Sequence, residues 1–357
     1  MTKTIILLSG DGIGPEIIAE AKKALLAVAK KFKHSFNFDM RKIGGESIDA
    51  FGIPLTDDTI AVCKKADAVL LGAVGGPKWD NIDPEIRPER GLLKIRKELG
   101  LFANIRPTKL FPSLKSACPL KNDIVDSGID FIVVRELTGG IYFGQRETKK
   151  LSDGQIWAQD TLGYSKNEIE RIGHVAFEFA KTRSKKLCSI DKANVLDSSK
   201  LWRKVMEDIA KDYPSVTLSH MYVDNAAMQI IKNPAQFDVI VTENMFGDIL
   251  SDEASALVGS LGLMPSSSIG TGKFGLYEPI SGSAPDIAGK EIANPIGAIL
   301  SAAMMLRHSF GLEEEAVAIE NAVESALSKG FKTADIVSGK ESPISTSEMG
   351  EKIVQEL

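Results

Sequence analysis

Short apolar, β-branched runs alternate with stretches of helical periodicity along nearly the whole chain, the pattern of an α/β protein whose strands are largely parallel. The runs at 4–8, 68–71, 131–135, 186–190, 216–222 and 239–242 predict strands, because short apolar segments bounded by turn residues match strands covered on both faces. Apolar positions recurring every three to four residues predict helices over 15–31, 90–99, 168–182, 198–211, 226–231, 248–261, 295–308 and 313–328. Two stretches break the alternation. Residues 136–163, with Gly139-Gly140, Asp153-Gly154, Tyr142, Phe143 and Trp157, predict a β arm projecting from the body. Residues 265–290 are rich in Gly, Ser and Pro, show neither period, and predict an extended functional loop system.

A chain of 357 residues exceeds the length at which a single core stops growing, about 250–300 residues, so two domains are expected. Hydrophobic residues at 43% and charged residues at 25% exclude a disordered or fibrous chain. A net charge of −5 gives no overall attraction to nucleic acid or an anionic membrane, so an anionic ligand must be held by local basic residues. The apolar run around 298–306 is too short for a membrane span, and the one at 5–8 is too short for a signal-peptide core. Cys63, Cys118 and Cys188 are odd in number and lack metal-ligand spacing, which fits free thiols in a reducing compartment, with the cytoplasm as the expected location.

Asp248 and Asp252 lie four residues apart on a helix predicted to start just after Gly247. That spacing puts both carboxylates on one face, where like charges repel, and invites a cation such as a hard divalent metal between them. Asp224, at a strand end, offers a third carboxylate; each of the three also suits a helix cap or a solvated face. Arg96, Arg106 and Arg135 sit on or near element ends and are suited to bidentate carboxylate recognition. Lys192 follows a strand, where open α/β sheets place ligand groups, and is a candidate general base. Tyr142, on the glycine-rich arm, is a candidate proton donor or a packing residue.

Gly10-Asp11-Gly12-Ile13-Gly14-Pro15-Glu16 follows a strand and opens a helix, yet Pro15 stands where a dinucleotide fingerprint needs its third glycine. In Gly282-Ser283-Ala284-Pro285-Asp286-Ile287, the aspartate can accept hydrogen bonds from both ribose hydroxyls of an adenosine and would repel a 2′-phosphate, which predicts NAD over NADP.

These two segments, together with Leu71-Gly72-Ala73-Val74-Gly75-Gly76-Pro77, Asn104-Ile105-Arg106-Pro107, Asp191-Lys192-Ala193-Asn194-Val195 and Asn244-Met245-Phe246-Gly247-Asp248-Ile249-Leu250-Ser251-Asp252, resemble the β-decarboxylating dehydrogenases of the isocitrate and isopropylmalate type, in order over essentially the whole chain. The resemblance implies two α/β domains sharing a sheet, distinct from the ordinary dinucleotide (Rossmann) fold: a cofactor-side domain from 1–101 and 259–357, and a second from 102–258 that includes the arm. It implies NAD-dependent oxidation of the C2 hydroxyl of 3-isopropylmalate and loss of the C3 carboxylate as CO2, giving 4-methyl-2-oxopentanoate in leucine biosynthesis. By the family pattern Arg96, Arg106 and Arg135 hold carboxylates, and Asp224, Asp248 and Asp252 hold Mg²⁺ or Mn²⁺. Lys192 takes the hydroxyl proton and Tyr142 assists protonation of the enol carbon. Leu92, Leu93 and Val195 form the isopropyl pocket, where leucines cannot bind a third carboxylate.

The cofactor would meet Ile13, Glu89, Asn194, Glu278, Gly282, Ser283, Ala284, Asp286, Ile287 and Asn294, with Glu89 beside the nicotinamide. Lys192, Asn194, Val195 and Asp224 would act across a homodimer. Ser281 departs from the histidine that many relatives carry just before Gly282, which puts one adenine contact in doubt. The alternatives are a related enzyme acting on malate-type acids or homoisocitrate, and a non-catalytic regulatory subunit on the same scaffold. A metal-dependent hydrolase is disfavoured, since none of the four histidines lies near the aspartate pair.

Overall fold

The computed structural model describes residues 1–339 and 341–357. Its strands are β1 (Thr2–Gly10), β2 (Ser35–Arg41), β3 (Ala68–Ala73), β4 (Ala103–Lys109), β5 (Asp130–Glu136), β6 (Arg146–Lys150), β7 (Ile156–Asp160), β8 (Lys186–Asp191), β9 (Thr217–Tyr222), β10 (Val239–Thr242), β11 (Pro265–Ile269) and β12 (Gly275–Pro279). The helices are α1 (Gly14–Phe32), α2 (Gly45–Phe51), α3 (Asp57–Cys63), α4 (Pro88–Glu98), α5 (Asn122–Asp126) and α6 (Lys166–Thr182). They continue with α7 (Asp197–Ala210), α8 (Val223–Lys232), α9 (Asn244–Leu257), α10 (Ile296–His308), α11 (Glu313–Ser328) and α12 (Thr346–Glu356). The chain divides into two compact units, one of Met1–Leu101, Lys109–Lys121 and Ser255–Leu357, the other of Phe102–Thr108 and Asn122–Ala254.

In the first unit the strands run in the order β2, β1, β3, β12, β11, parallel except for the antiparallel β11–β12 pair. Helix α1 starts with Pro at its first turn, where a missing N–H costs nothing. It buries Ile17, Ile18, Ala21, Ala24, Leu25 and Val28 in one stripe, against α10 and α12. Each of the Ile, Leu and Val side chains contributes about 1.5–3 kcal/mol by leaving water. Helix α10 is buried at every position from Ile296 to Leu306, as an all-apolar helix must be.

In the second unit β4, β5, β10, β8 and β9 lie side by side in that order. The β5, β10, β8 and β9 ladder is parallel, pairing Thr242 with Arg135 and with Ile190, and Asp191 with Tyr222. Arg135, the Asn244 turn, Lys192 and Asp224 therefore emerge along one edge, at the carboxyl ends of parallel strands, where open α/β sheets bind ligands. The arm is a two-stranded antiparallel hairpin of β6 and β7.

Several elements differ from the sequence reading. Residues 265–290 hold two strands, β11 and β12. Ser266, Ser267 and Ser268 are buried there without alternation, the Ser266 hydroxyl donating to Glu278 O at 2.8 Å, so a run of buried polar residues hid the strand. Helix α9 begins at Asn244, not after Gly247, because the Glu243 carboxylate accepts from Phe246 N at 2.9 Å and Met245 N at 3.3 Å. Asp248 thus sits inside the helix and does not cap it. The helix ends at Leu257 instead of 261, before Gly259 with φ +100. Strand β4 continues past Arg106 to Lys109, and β2, α2, α3 and α12 were not anticipated.

Candidate active site

In the second unit five of the predicted residues meet. Arg135, 3% exposed, directs Nε and Nη2 to Asn244 Oδ1 at 3.1 and 2.7 Å, and Nη1 to Asp248. Arg106, also buried, donates Nε to Asn104 Oδ1 at 2.6 Å and Nη1 to Ser251 Oγ at 2.7 Å. The same guanidinium lies 3.2 Å from Asp252 Oδ1 and 3.5 Å from Asp248 Oδ1. The cation bridging the two aspartates within this chain is thus a guanidinium, which confirms that both face one way. The Tyr142 hydroxyl donates to Asp248 Oδ2 at 3.0 Å, and its ring lies 5.8 Å from the Arg135 guanidinium.

Burial first, then the Asp248 charge and hydrogen bond, push the Tyr142 phenol up to about 12. Asp252 is raised by burial, opposed by Arg106 and reinforced by Asp248. Glu243 is raised by burial, with the amides of Phe246 and Met245 pulling the other way. A phenol that retains its proton across the neutral range is a group able to donate one.

Lys192 and Asp224 form their own pair: Lys192 Nζ donates to Asp224 Oδ1 at 2.5 Å, and this bond holds the exposed Asp224 carboxyl below its ordinary range. The turn that presents Lys192 is fixed by buried Asp191, which accepts from Ala193 N and from Arg203, each at 2.9 Å. Asn194 is exposed and Val195 is 62% exposed. Among the described residues, no three His, Cys, Asp or Glu side chains of one chain gather into a metal-binding group.

In the first unit the two glycine loops meet. Ile13 N donates to Ser283 O at 2.9 Å, Gly289 N to the Glu16 carboxylate, and Ile287 N to Ala284 O at 3.1 Å. Gly282 and Ala284 have φ of +65 and +37. Asp286 points from this loop into solvent. Asn294, just before α10, accepts from Ile296 N at 3.0 Å. Arg96 is paired with Glu278, both buried, and its Nε has no partner. Glu89 is exposed on α4, beside Gly75, where an added Cβ would lie 2.8 Å from Glu89 Oε1. Leu92 packs against the core of this unit and Leu93 is half-buried. The Ser281 hydroxyl is buried and unpartnered.

Sequence reasoning missed the residues that hold the arginines. Asn104 could have been found from its i, i+2 relation to Arg106 on one strand, which places both on one face. Ser251 and Asn244 had only their place in the motif.

A family model described as isocitrate/isopropylmalate dehydrogenase matches residues 4–353. The chain belongs to the isocitrate/isopropylmalate dehydrogenase family. It is 56% identical over 357 residues to the 3-isopropylmalate dehydrogenase of Shouchella clausii, covering 100% of this chain and 98% of that one. It is 59% identical over 358 residues to that of Pseudomonas fluorescens, covering 100% and 99%. Among solved structures, the isocitrate dehydrogenase of Methylococcus capsulatus matches with TM-score 0.87 at 35% identity, over 99% of each chain. A β-decarboxylating dehydrogenase of Thermococcus kodakarensis matches with TM-score 0.79 at 34% identity, over 99% and 96%. The α/β fold expected from the sequence is that of this family, and the chain is a β-decarboxylating dehydrogenase.

Proposed function

We propose that the protein oxidises 3-isopropylmalate with NAD at C2 and releases the C3 carboxylate as CO2, giving 4-methyl-2-oxopentanoate, in the cytoplasm. The observation that carries this reading is full-length identity of 56% and 59% to 3-isopropylmalate dehydrogenases, against 35% to an isocitrate dehydrogenase. The half-buried Leu92 and Leu93 support it, since an apolar group is welcome beside leucines and a third carboxylate is not.

Arg106 and Arg135 grip the substrate carboxylates, with Arg96 a third guanidinium for the same task. Lys192 accepts the C2 hydroxyl proton and Tyr142 delivers one to the enol carbon after CO2 leaves. The oxygen-only donor set of Asp224, Asp248 and Asp252 fits a hard divalent cation such as Mg²⁺ or Mn²⁺. Bound there, such an ion would make the hydroxyl more acidic and draw electrons from the keto acid during decarboxylation. Ile13, Glu89, Asn194, Glu278, Asn294 and the Gly282–Ile287 loop hold NAD, and Asp286 selects it over NADP through the ribose hydroxyls.

The working unit in this reading is a homodimer in which Lys192, Asn194, Val195 and Asp224 serve the other subunit. Exposed Val195, Tyr222, Met228, Ile231 and Ile249 in the second unit are the apolar surface such a dimer would cover. The test is NADH formation from 3-isopropylmalate, NAD and Mg²⁺, beside isocitrate, NADP and chelator controls. A higher kcat/KM for isocitrate or homoisocitrate would refute the substrate assignment, and a fully active monomer would refute the shared site.

A further inference from the structure

Both arginines of the second-unit cluster are held by a neutral amide. Arg135 gives two of its N–H groups to one atom, Asn244 Oδ1, and Asn244 is completely buried. The amide is itself fixed: Asn244 Nδ2 donates to Gly139 O at 3.0 Å, and Asn244 N to the Tyr164 hydroxyl at 3.0 Å. Gly139 opens the short turn Gly140–Tyr142 that carries the Tyr142 hydroxyl to Asp248. A single carboxamide therefore sets the direction of the guanidinium and ties down the turn that presents the tyrosine.

We propose that Asn244 is a positioning and specificity residue, whose neutral acceptor orients Arg135 without adding a second negative charge to the one that Asp248 already sets against it. An aspartate in this place could accept the same two hydrogen bonds. It would also set a second carboxylate against a guanidinium already paired with Asp248, leaving net negative charge where an incoming carboxylate must bind. It would lose the donor to Gly139 as well. The role goes beyond any residue assignment carried by the family resemblance, and it rests on the reading of the substrate as a dicarboxylate.

The experiment measures kcat and KM for 3-isopropylmalate, and the Ki of isopropylsuccinate, which has the same carboxylates and no reacting hydroxyl. Wild type is compared with Asn244→Asp over a range of salt. The expected result is a rise of about tenfold or more in KM and Ki, a smaller change in kcat, and a flatter salt dependence of Ki, since an added negative charge offsets the attraction for the anion. A merely structural role predicts a lowered Tm with an unaltered salt slope, and that outcome, or wild-type KM and Ki, overturns the proposal. If Asn244→Asp does not fold, Asn244→Ser and Asn244→Gln replace it: each should weaken isopropylsuccinate while keeping the wild-type salt slope, and unchanged Ki in both overturns the proposal. Wild type that fails to bind either acid would instead sink the substrate assignment.

Discussion

Gly247, buried within α9, is where packing and catalysis compete most directly. A Cβ built there would lie 2.7 Å from Arg135 Cγ, 2.9 Å from Arg135 Cβ and 2.9 Å from Thr242 Cγ2. Since carbon atoms rest about 3.5–4.0 Å apart, Gly247→Ala requires a displacement of about 1 Å, and the neighbour it meets first is the stem of Arg135. Helix propensity favours the alanine by about 1 kcal/mol, while overpacking in a filled interior costs about 1–3 kcal/mol. The net is a small loss of stability, seen as a Tm lowered by a few degrees. Function should suffer more, because about 1 Å of misplacement at a substrate-orienting group costs on the order of 100-fold. Steady-state NADH formation from 3-isopropylmalate, run beside thermal unfolding, separates the two effects. A variant with kcat/KM within about twofold of wild type and an unchanged or raised Tm would show that Arg135 is not held where the argument needs it.

Gly12 has φ +58 and an added Cβ would lie 1.9 Å from Ser283 O, so Gly12→Ala must push the two glycine loops apart; KM for NAD should rise about tenfold, a loss of about 1.4 kcal/mol, as measured by NAD titration at saturating acid. Tyr142→Phe removes the hydroxyl bonded to Asp248, and kcat should fall by about 10²-fold or more with little change in KM; an unaltered kcat would remove Tyr142 from proton transfer. His308 is lowered from 6.5 to about 4 by burial and the neighbouring Arg307 charge. The unfolded chain therefore binds its proton first, and the stability His308 confers above pH 6.5 is lost as pH falls toward 4. With a discount for its partial exposure, the effect is about 1–2 kcal/mol, read as the difference in urea midpoint between wild type and His308→Gln across that range; parallel curves would refute it.

The parallel core was legible because its strands carry the signal on their own residues: β10 and α11 were predicted to the residue, and β1, β3, β5 and β8 within two residues at either end. What escaped was decided by partners. The buried serines of β11 read as loop because what holds them lies elsewhere in the chain: the Ser266 hydroxyl donates to the neighbouring strand at Glu278 O and the Ser266 amide donates to Ser301 Oγ on α10, partners that no local window contains. The start of α9 was misplaced because Glu243 caps it with a long side chain, whereas the usual signal is a short Ser, Thr, Asp or Asn. Strand β2 lies at the end of the strand order, beside β1, and an edge strand of mixed polarity, Ser35–Arg41, carries little apolar signal.

The site divides along the same line. The four-residue spacing of Asp248 and Asp252 showed that they share a face, and periodicity could say no more, since it does not identify the cation that faces them. The answer within the chain is Arg106, more than a hundred residues away in sequence. Arg106 and Arg135 are both buried, and a buried guanidinium without acceptors would cost several kcal/mol. Their positions therefore demand acceptors, and the structure supplies carboxylates on α9 that an arriving cation and acid can engage, the Ser251 hydroxyl, and the amides of Asn104 and Asn244, which add no negative charge of their own. The aspartates announced themselves by charge and spacing. The amides did not, because a neutral side chain that acts by orienting another leaves its mark only in three dimensions.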